Sequence, residues 1–403
     1  YRGKAFINIL GIPIRVSKKY YSSVYGPTLK NKTGFFSVRT GSLFKVRALE
    51  QWWKMNKANS FDEFYSILEM NEIPGYNIGY ADKDDNIFYI SNGLIPIRND
   101  KFKWTGVLPG NTSETLWTDY YKTHELPQVI NPKSGYIYNA NHSPFLSTSI
   151  DENPNPQDFA SNMGYETFDN NRSTRIFELV ESYKSIDYED FKKIKYDNKF
   201  PTPFNYNFMD VNKIMEMKPD DYPEIADLIK QIQNWDRSTD ASSTGAGAYA
   251  MFYYTLADKY FYKSYYDRNF SKSLIADCLV EVKKRMKKYF NSTIIKLGDF
   301  QKLVRGDREI PIFGMPDIIT AMNASKYKDG KVQVTHGESY IQLVKFSSKG
   351  TEIESIISYG SSDNEESPHY NDQMEKYSKF QTKKMSFDRD WVLNNSKRIY
   401  NPR

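Results

Sequence analysis

The sequence holds a single cysteine in 403 residues, so no intrachain disulfide can form and a disulfide-stapled scaffold is excluded. That residue, Cys278, sits in the apolar stretch LIADCLVEV. A thiol there reads as a small buried hydrophobe and not as a nucleophile. Histidine is equally scarce: His124, His142, His336 and His369 are scattered, and no pair has the i, i+4 spacing of a helical zinc site. No apolar run reaches the length of a membrane span, and no signal-peptide pattern is present. Glycine-rich phosphate loops are missing too. The stretch STGAGAYA at 243–250 lacks the P-loop lysine and a preceding strand, and reads instead as small residues opening a buried helix. Finally, charge of one sign is missing. Lys plus Arg number 55 against 50 Asp plus Glu, a formal charge of +5 with the signs interspersed, which leaves no nucleic-acid footprint. The densest basic run, KKRMKK at 283–288, reads as a solvated helix face near a C-terminus.

What is present is a globular composition, with 39% hydrophobic and 26% charged residues, 32 Tyr and 25 Phe, and disorder as the main state is excluded. The chain opens on YRGKAFINIL without an initiator Met, in what reads as the middle of a β-region, so a fragment or processed subunit is expected. The first 50 residues alternate short β-like runs (KAFINILGIPIRV, GFFSVRT, LFKVRAL) with turns. SFDEFYSILEMN at 60–71 predicts a helix capped by Ser60, with Glu63 three residues on. YNIGYADKDDNIFYISNG predicts two strands around an acidic turn. Its Asp82, Asp84 and Asn86 alternate as in a calcium loop, but Ile87 replaces the required Gly and Gly93 the required Glu, so a hairpin is expected.

Residues 94–170 read as long ordered loops around a strand at 135–141. Helical periodicity dominates 172–303, in NRSTRIFELVESY, YEDFKKIKY, YPEIADLIKQIQNW, AGAYAMFYYTLADKYFY and KSLIADCLVEVKKRMKKYF. The last hundred residues return to β-runs, KVQVTHGESYIQLVKF and EIESIISYG. The organisation expected is therefore an α+β chain with a β-rich part at 1–171, a helical part at 172–303 and a β-rich return at 304–403.

One stretch crowds polar groups: NPKSGYIYNANHSPF, 131–145, which brings Asn139, Asn141, His142 and Ser143 together before Pro144. Asn and Ser form turns by bonding nearby backbone, which makes this a hairpin end. It also suits a strand delivering an amide NH2 to a reaction centre, where it stabilises an oxyanion. A serine-hydrolase order, Ser339, His369, Asp372, exists as well. HGESYIQ, however, lacks the second glycine of a nucleophile elbow and the strand-to-helix turn.

Several separate stretches, in order, resemble the penicillin acylases of the N-terminal-nucleophile hydrolases. They are NIGYADKDDNIFYISNGLIPIR, WTGVLPGNTSETLW, NPKSGYIYNANHSPF and the helix start NNRSTRIFELV. Nearer the end, LVRGDREIPIFGMPD, HGESYIQLVKF and IISYGSSDNEESPHYNDQMEKYSK are most similar to the acyl-homoserine lactone and aculeacin acylase branch. The resemblance implies part of a four-layered αββα sandwich with a largely helical insertion. It implies an autoproteolytically split amidohydrolase whose β-chain starts with a nucleophilic Ser activated by its own α-amine. On the matching positions it makes Asn141 the oxyanion-hole amide and Arg172 the arginine near the nucleophile's amine.

Asn139, His142, His369 and Asp372 carry no transferable role and are read as architecture. The nucleophile would lie upstream of Tyr1, so the expected partners are an α-subunit and the N-terminal part of the β-subunit. The substrate expected is a small N-acyl compound: an acyl-homoserine lactone, a lipopeptide, a β-lactam or, as the alternative, a glutaryl-type amide. Periplasmic or secreted location follows from the same resemblance. No catalytic cofactor is expected. Structural calcium has room near SIDENPNPQDF at 149–159, without assigned ligands. The rival reading is a non-catalytic secreted binding module on this scaffold, which a Gly-Ser cleavage point upstream would exclude.

Overall fold

The computed structural model describes residues 2–204, 212–264 and 270–400, which form two compact units, Tyr1–Phe168 and Asp169–Arg403. In the first unit, strands Arg2–Ile9 and Ile12–Lys19 make an antiparallel hairpin. Leu10 and Gly11 turn it with φ of +52° and +85°, the two positive φ values that let a two-residue turn match strand twist. Three short strands, Tyr21–Ser23, Gly26–Asn31 and Gly34–Ser37, form a second antiparallel sheet.

The β-run expected at LFKVRAL is instead a turn followed by the helix Ala48–Met55. Two features override β-propensity there. Glu50 pairs with Arg47 and Lys54 at helical spacing, and the buried Gln51 side chain accepts the N–H groups of Glu72 and Ile73 at 2.7 and 3.0 Å. The next helix, Phe61–Leu68, begins as expected at Ser60, whose hydroxyl accepts Glu63 N–H at 3.2 Å. Glu63 returns its carboxylate to Asn59 N–H, one residue before the cap.

Strands Tyr76–Ala81, Ile87–Asn92 and Gln128–Ile130 form an antiparallel meander. The acidic turn is a hairpin: Asp82 accepts the N–H groups of Asp84 and Asn86 at 2.9 and 3.0 Å. Along Ile87–Asn92, Phe88 and Ile90 point into a core with Phe64 and Leu68. Alternation sends Tyr89 and Ser91 to the opposite face.

In the second unit the expected helices are present as Asn171–Glu181, Tyr188–Lys195, Ala226–Gln233, Thr244–Ser264 and Lys272–Phe290. Small residues at the start of Thr244–Ser264 permit close packing: a Cβ on Gly245 would lie 2.5 Å from the Trp235 ring, and one on Gly247 2.1 Å from the Ile295 carbonyl oxygen. Cys278 is buried, and desolvation pushes its thiol up to about 12, so it is an inert core group. Lys287 and Lys288 occupy the last turn of Lys272–Phe290, while Met286 of the same basic run is buried. One core runs from Phe200 to Val332, so the helical stretch and later strands share this unit.

Its larger sheet orders Arg308–Pro311, Gln301–Arg305, Val332–Gly337 and Met322–Lys326. The pairing of 301–305 with 332–337 is parallel. Tyr340–Ser347, Gly350–Ile357 and Lys383–Met385 form a separate antiparallel sheet. No helix among the described residues is long and apolar enough to cross a membrane.

Candidate active site

The strand expected at 135–141, inside the polar stretch 131–145, is absent. Residues 135–141 have no ladder. Tyr138 N–H reaches the Ser147 carbonyl at 2.9 Å, and side chains do the rest. Asn131, at φ +46°, ties the loop to the sheet by accepting Ile87 N–H at 2.8 Å. Thr148 donates its hydroxyl to the Tyr136 carbonyl at 2.8 Å. Asn153 accepts the N–H groups of Ser147 and Thr148 at 2.6 and 3.1 Å. Glu152 accepts from Ser134 and Lys133, and these bonds, Ser134's first, hold its carboxyl down at about 2. A turn-rich sequence thus becomes a fixed loop because its own Asn, Thr and Glu side chains satisfy its backbone.

That loop sets the backbone of Asn141, which is exposed and left-handed at φ +56°. Its N–H donates to Asn139 Oδ1 at 2.9 Å. Asn139 Nδ2 donates at 3.3 Å to the Tyr89 hydroxyl, which in turn donates to Asn77 Oδ1 at 2.8 Å. Tyr89 is 1% exposed, and burial pushes its phenol up to about 12, so the hydroxyl keeps its proton. A relay from the sheet face therefore ends on the Asn141 backbone.

His142 is spent on the same loop: Nδ1 accepts Ala140 N–H at 3.0 Å and Nε2 lies 2.7 Å from the Leu146 carbonyl. These partners assign the Nε2–H tautomer, and the ring stacks on Tyr138 at 5.0 Å. Asn141 lines a cavity of about 300 Å³ with Asn77, Ser91, His142, Pro144 and Tyr165.

Arg172 belongs to the second unit, in the first turn of Asn171–Glu181. Asn170 caps that helix, accepting Ser173 N–H at 2.9 Å, and the Ser173 hydroxyl accepts Asn170 N–H at 3.0 Å. Arg172 Nε donates to Asp317 Oδ1 at 3.3 Å, while Asp317 Oδ2 accepts Asn171 N–H and Nδ2–H at 3.1 and 2.9 Å. Burial pushes the Asp317 carboxyl upward, against the opposing pull of Asn171 and Arg172. Asp317 itself is left-handed at φ +60°. Its role was missed in the sequence, where the one signal is its position after Pro316 at the end of a stretch carrying the resemblance.

The serine-hydrolase order does not assemble into a triad. His369 Nδ1 and Asp372 Oδ2 are 2.9 Å apart within one exposed loop. No hydrogen bond among the described residues joins Ser339 to either. Among the described residues no group of three or more His, Cys, Asp or Glu side chains is arranged to hold a metal ion.

With this geometry in place, comparison with known proteins gives the family. The penicillin amidase family matches residues 4–393, and the chain belongs to it. The acyl-homoserine lactone acylase PvdQ of Pseudomonas syringae pv. syringae is 24% identical over 92% of this chain and 53% of its own length. PvdQ of Pseudomonas savastanoi pv. phaseolicola is likewise 24% identical, with the same coverage. Penicillin G acylase of Escherichia coli is 29% identical over 31% of this chain and 15% of its own length. The chain thus spans about half the length of the PvdQ proteins it matches. The solved structure of a thermostable penicillin G acylase from Alcaligenes faecalis superposes with a TM-score of 0.63 and 15% identity, over 100% of this chain and 82% of that one. The fold is accordingly the mixed α and β fold of penicillin G acylase.

Proposed function

We propose that this chain is the C-terminal β-subunit portion of an amidohydrolase that removes an acyl chain from a small N-acyl compound. In this reading it contributes to a four-layered αββα sandwich. The nucleophile, an N-terminal Ser that forms the acyl-enzyme, belongs to the half of the protein that the chain does not span. An α-subunit and the N-terminal part of the β-subunit are its partners, and the processed enzyme is periplasmic or secreted. Calcium, if bound, is structural.

The observation that carries the reading is the fixed, left-handed Asn141 at the edge of the small cavity. An amide held in place before reaction loses little reorganisation energy when negative charge develops on the substrate oxygen. Asn141 donates its NH2 to that oxygen, and the Asn139 and Tyr89 relay keeps its backbone from turning away. Arg172, oriented by Asp317, stands near the nucleophile's amine. Its ion partner already belongs to the protein, so it does not by itself select acidic acyl groups.

The PvdQ relatives act on acyl-homoserine lactones, as their names state, and an aliphatic acyl substrate is the reading these relatives support. Each methylene buried in an apolar pocket contributes about 0.8 kcal/mol. The test is an assay of the intact protein on a homologous series of N-acyl-homoserine lactones, with benzylpenicillin and a glutaryl amide alongside. Catalytic efficiency is expected to rise by up to about fourfold per methylene until the pocket fills. Preference for the glutaryl amide without dependence on aliphatic length overturns the substrate assignment. Hydrolysis of none of them supports the non-catalytic alternative.

A further inference from the structure

The first unit contains a larger cavity, of about 890 Å³, that shares no lining residue with the one at Asn141. Its volume falls within the range of small-molecule sites, roughly 300–1,000 Å³. Tyr21 and Phe35, packed edge-to-face at 5.2 Å, form one wall, and Trp104 and Trp117, with centroids 6.3 Å apart, form another. The walls are pinned together. Tyr25 donates its hydroxyl to the Thr112 carbonyl at 2.5 Å and lies 2.8 Å from Thr115 Oγ1, joining the strand-bearing segment to the loop that carries both tryptophans.

Two guanidinium groups line this cavity and share one indole: Arg39 lies 5.2 Å and Arg98 5.8 Å from the Trp117 ring. Among the described residues both donate to neutral carbonyls only. Arg39 donates to Val24 and Trp117 at 3.3 and 3.1 Å, and Arg98 to Asn162 and Met163. Among the described residues neither has a carboxylate partner. The acid on the tryptophan loop, Glu114, is taken by Lys101 at 3.1 Å. A third cation, Lys30, stands 5.2 Å from the Phe35 ring.

Two further donors, Arg98 Nε and Trp117 Nε1, are buried without a hydrogen-bond partner among the described residues. Burial holds the Arg98 guanidinium below its ordinary range, with only the Tyr121 hydroxyl acting the other way. Arg39 and Arg98 are half-buried like charges against one ring, without a carboxylate partner among the described residues, and a bound anion would supply the missing counter-charge. Guanidinium forks match carboxylate geometry, and the rest of the lining mixes the rings of Tyr21, Phe35 and Trp104 with aliphatic, Ser and Thr residues.

We propose that this cavity binds an amphipathic monocarboxylate. Its carboxylate sits against Arg39 and Arg98, and its apolar body lies along Trp104, Tyr21 and Phe35. The inference does not depend on the proposed reaction, since it rests on residues outside the Asn141 cavity.

Isothermal titration of the full chain with sodium decanoate, with 1-decanol as the uncharged control, tests it. Saturable decanoate binding at least about tenfold tighter than that of decanol is expected, because only the former makes charge-assisted hydrogen bonds. Arg39→Met should remove this preference. Gly106 lines the cavity and has no atom within 4 Å of where its Cβ would stand, so Gly106→Phe adds a bulky ring at the lining without a clash at Cβ and should weaken both ligands. Circular dichroism establishes that each variant is folded, and Gly106→Phe decides the matter if Arg39→Met is not. Equal binding of decanoate and decanol, wild-type decanoate affinity in Gly106→Phe, or no saturable heat with decanoate would each overturn the proposal.

Discussion

Replacing Asn139 by Ala removes two bonds at once, the 2.9 Å acceptor for Asn141 N–H and the 3.3 Å link to Tyr89. Asn141 occupies a left-handed backbone at φ +56°, a conformation that costs an L-residue roughly 1–2 kcal/mol and that Asn tolerates better than most. A neutral hydrogen bond contributes about 0.5–1.5 kcal/mol, comparable to that cost. Without it the loop should populate other backbone conformations for Asn141. If the productive one loses about 1.4 kcal/mol, its population falls about tenfold, and the turnover number should fall with it. Asn139→Asp retains the acceptor and should keep most of the turnover. Tyr89→Phe, which removes only the relay's middle hydroxyl, should lie between. The assay is steady-state deacylation by the intact enzyme, with KM and thermal midpoint measured for every variant. An Asn139→Ala enzyme with a lowered midpoint but unchanged turnover number would refute the relay and return Asn139 to a purely structural role.

Three other outcomes follow from the geometry. Gly247→Ala places a Cβ 2.1 Å from the Ile295 carbonyl oxygen, and overpacking against backbone should cost about 1–3 kcal/mol, read as a lower urea midpoint with unchanged slope. Asp317→Ala removes one acceptor from Asn171 N–H and one carboxylate from Arg172, and should cost about 1–2 kcal/mol by the same measurement. The Glu152 carboxyl, held at about 2 in the fold, has a depressed folded value, so its stabilisation is present above the ordinary carboxylate range and is lost as pH falls toward 2. The urea midpoint of Glu152→Gln should therefore lie below wild type at pH 7, with a gap that narrows at pH 3 and closes only toward pH 2, and a pH-independent gap would contradict the loop anchor.

Much of the fold was legible where side-chain period and caps agree. The helix after Ser60, the five helices between 171 and 290 and the Asp82 hairpin all follow from patterns local in sequence. The failures have long-range causes. LFKVRAL reads as β because its apolar residues alternate, yet Gln51 commits this region to helix by bonding residues more than twenty positions away. The aromatic run at 135–141 reads as a strand, but Asn153, Thr148 and Glu152 satisfy the loop's backbone in place of a neighbouring strand. Asn141 and Arg172 could be named in advance only through resemblance, since an Asn in a turn and an Arg in a first helical turn are common. Their supports, Tyr89, Asn77 and Asp317, were invisible because each acts through a contact distant in sequence.

The most direct test of the central claim is the turnover number of Asn141→Ala in the intact, processed enzyme. Normal subunit processing is expected, with a fall of about two to three powers of ten in the turnover number and little change in KM, because the amide acts on charge that develops only in the transition state. Deacylation at the wild-type turnover number by the Asn141→Ala enzyme would contradict that claim.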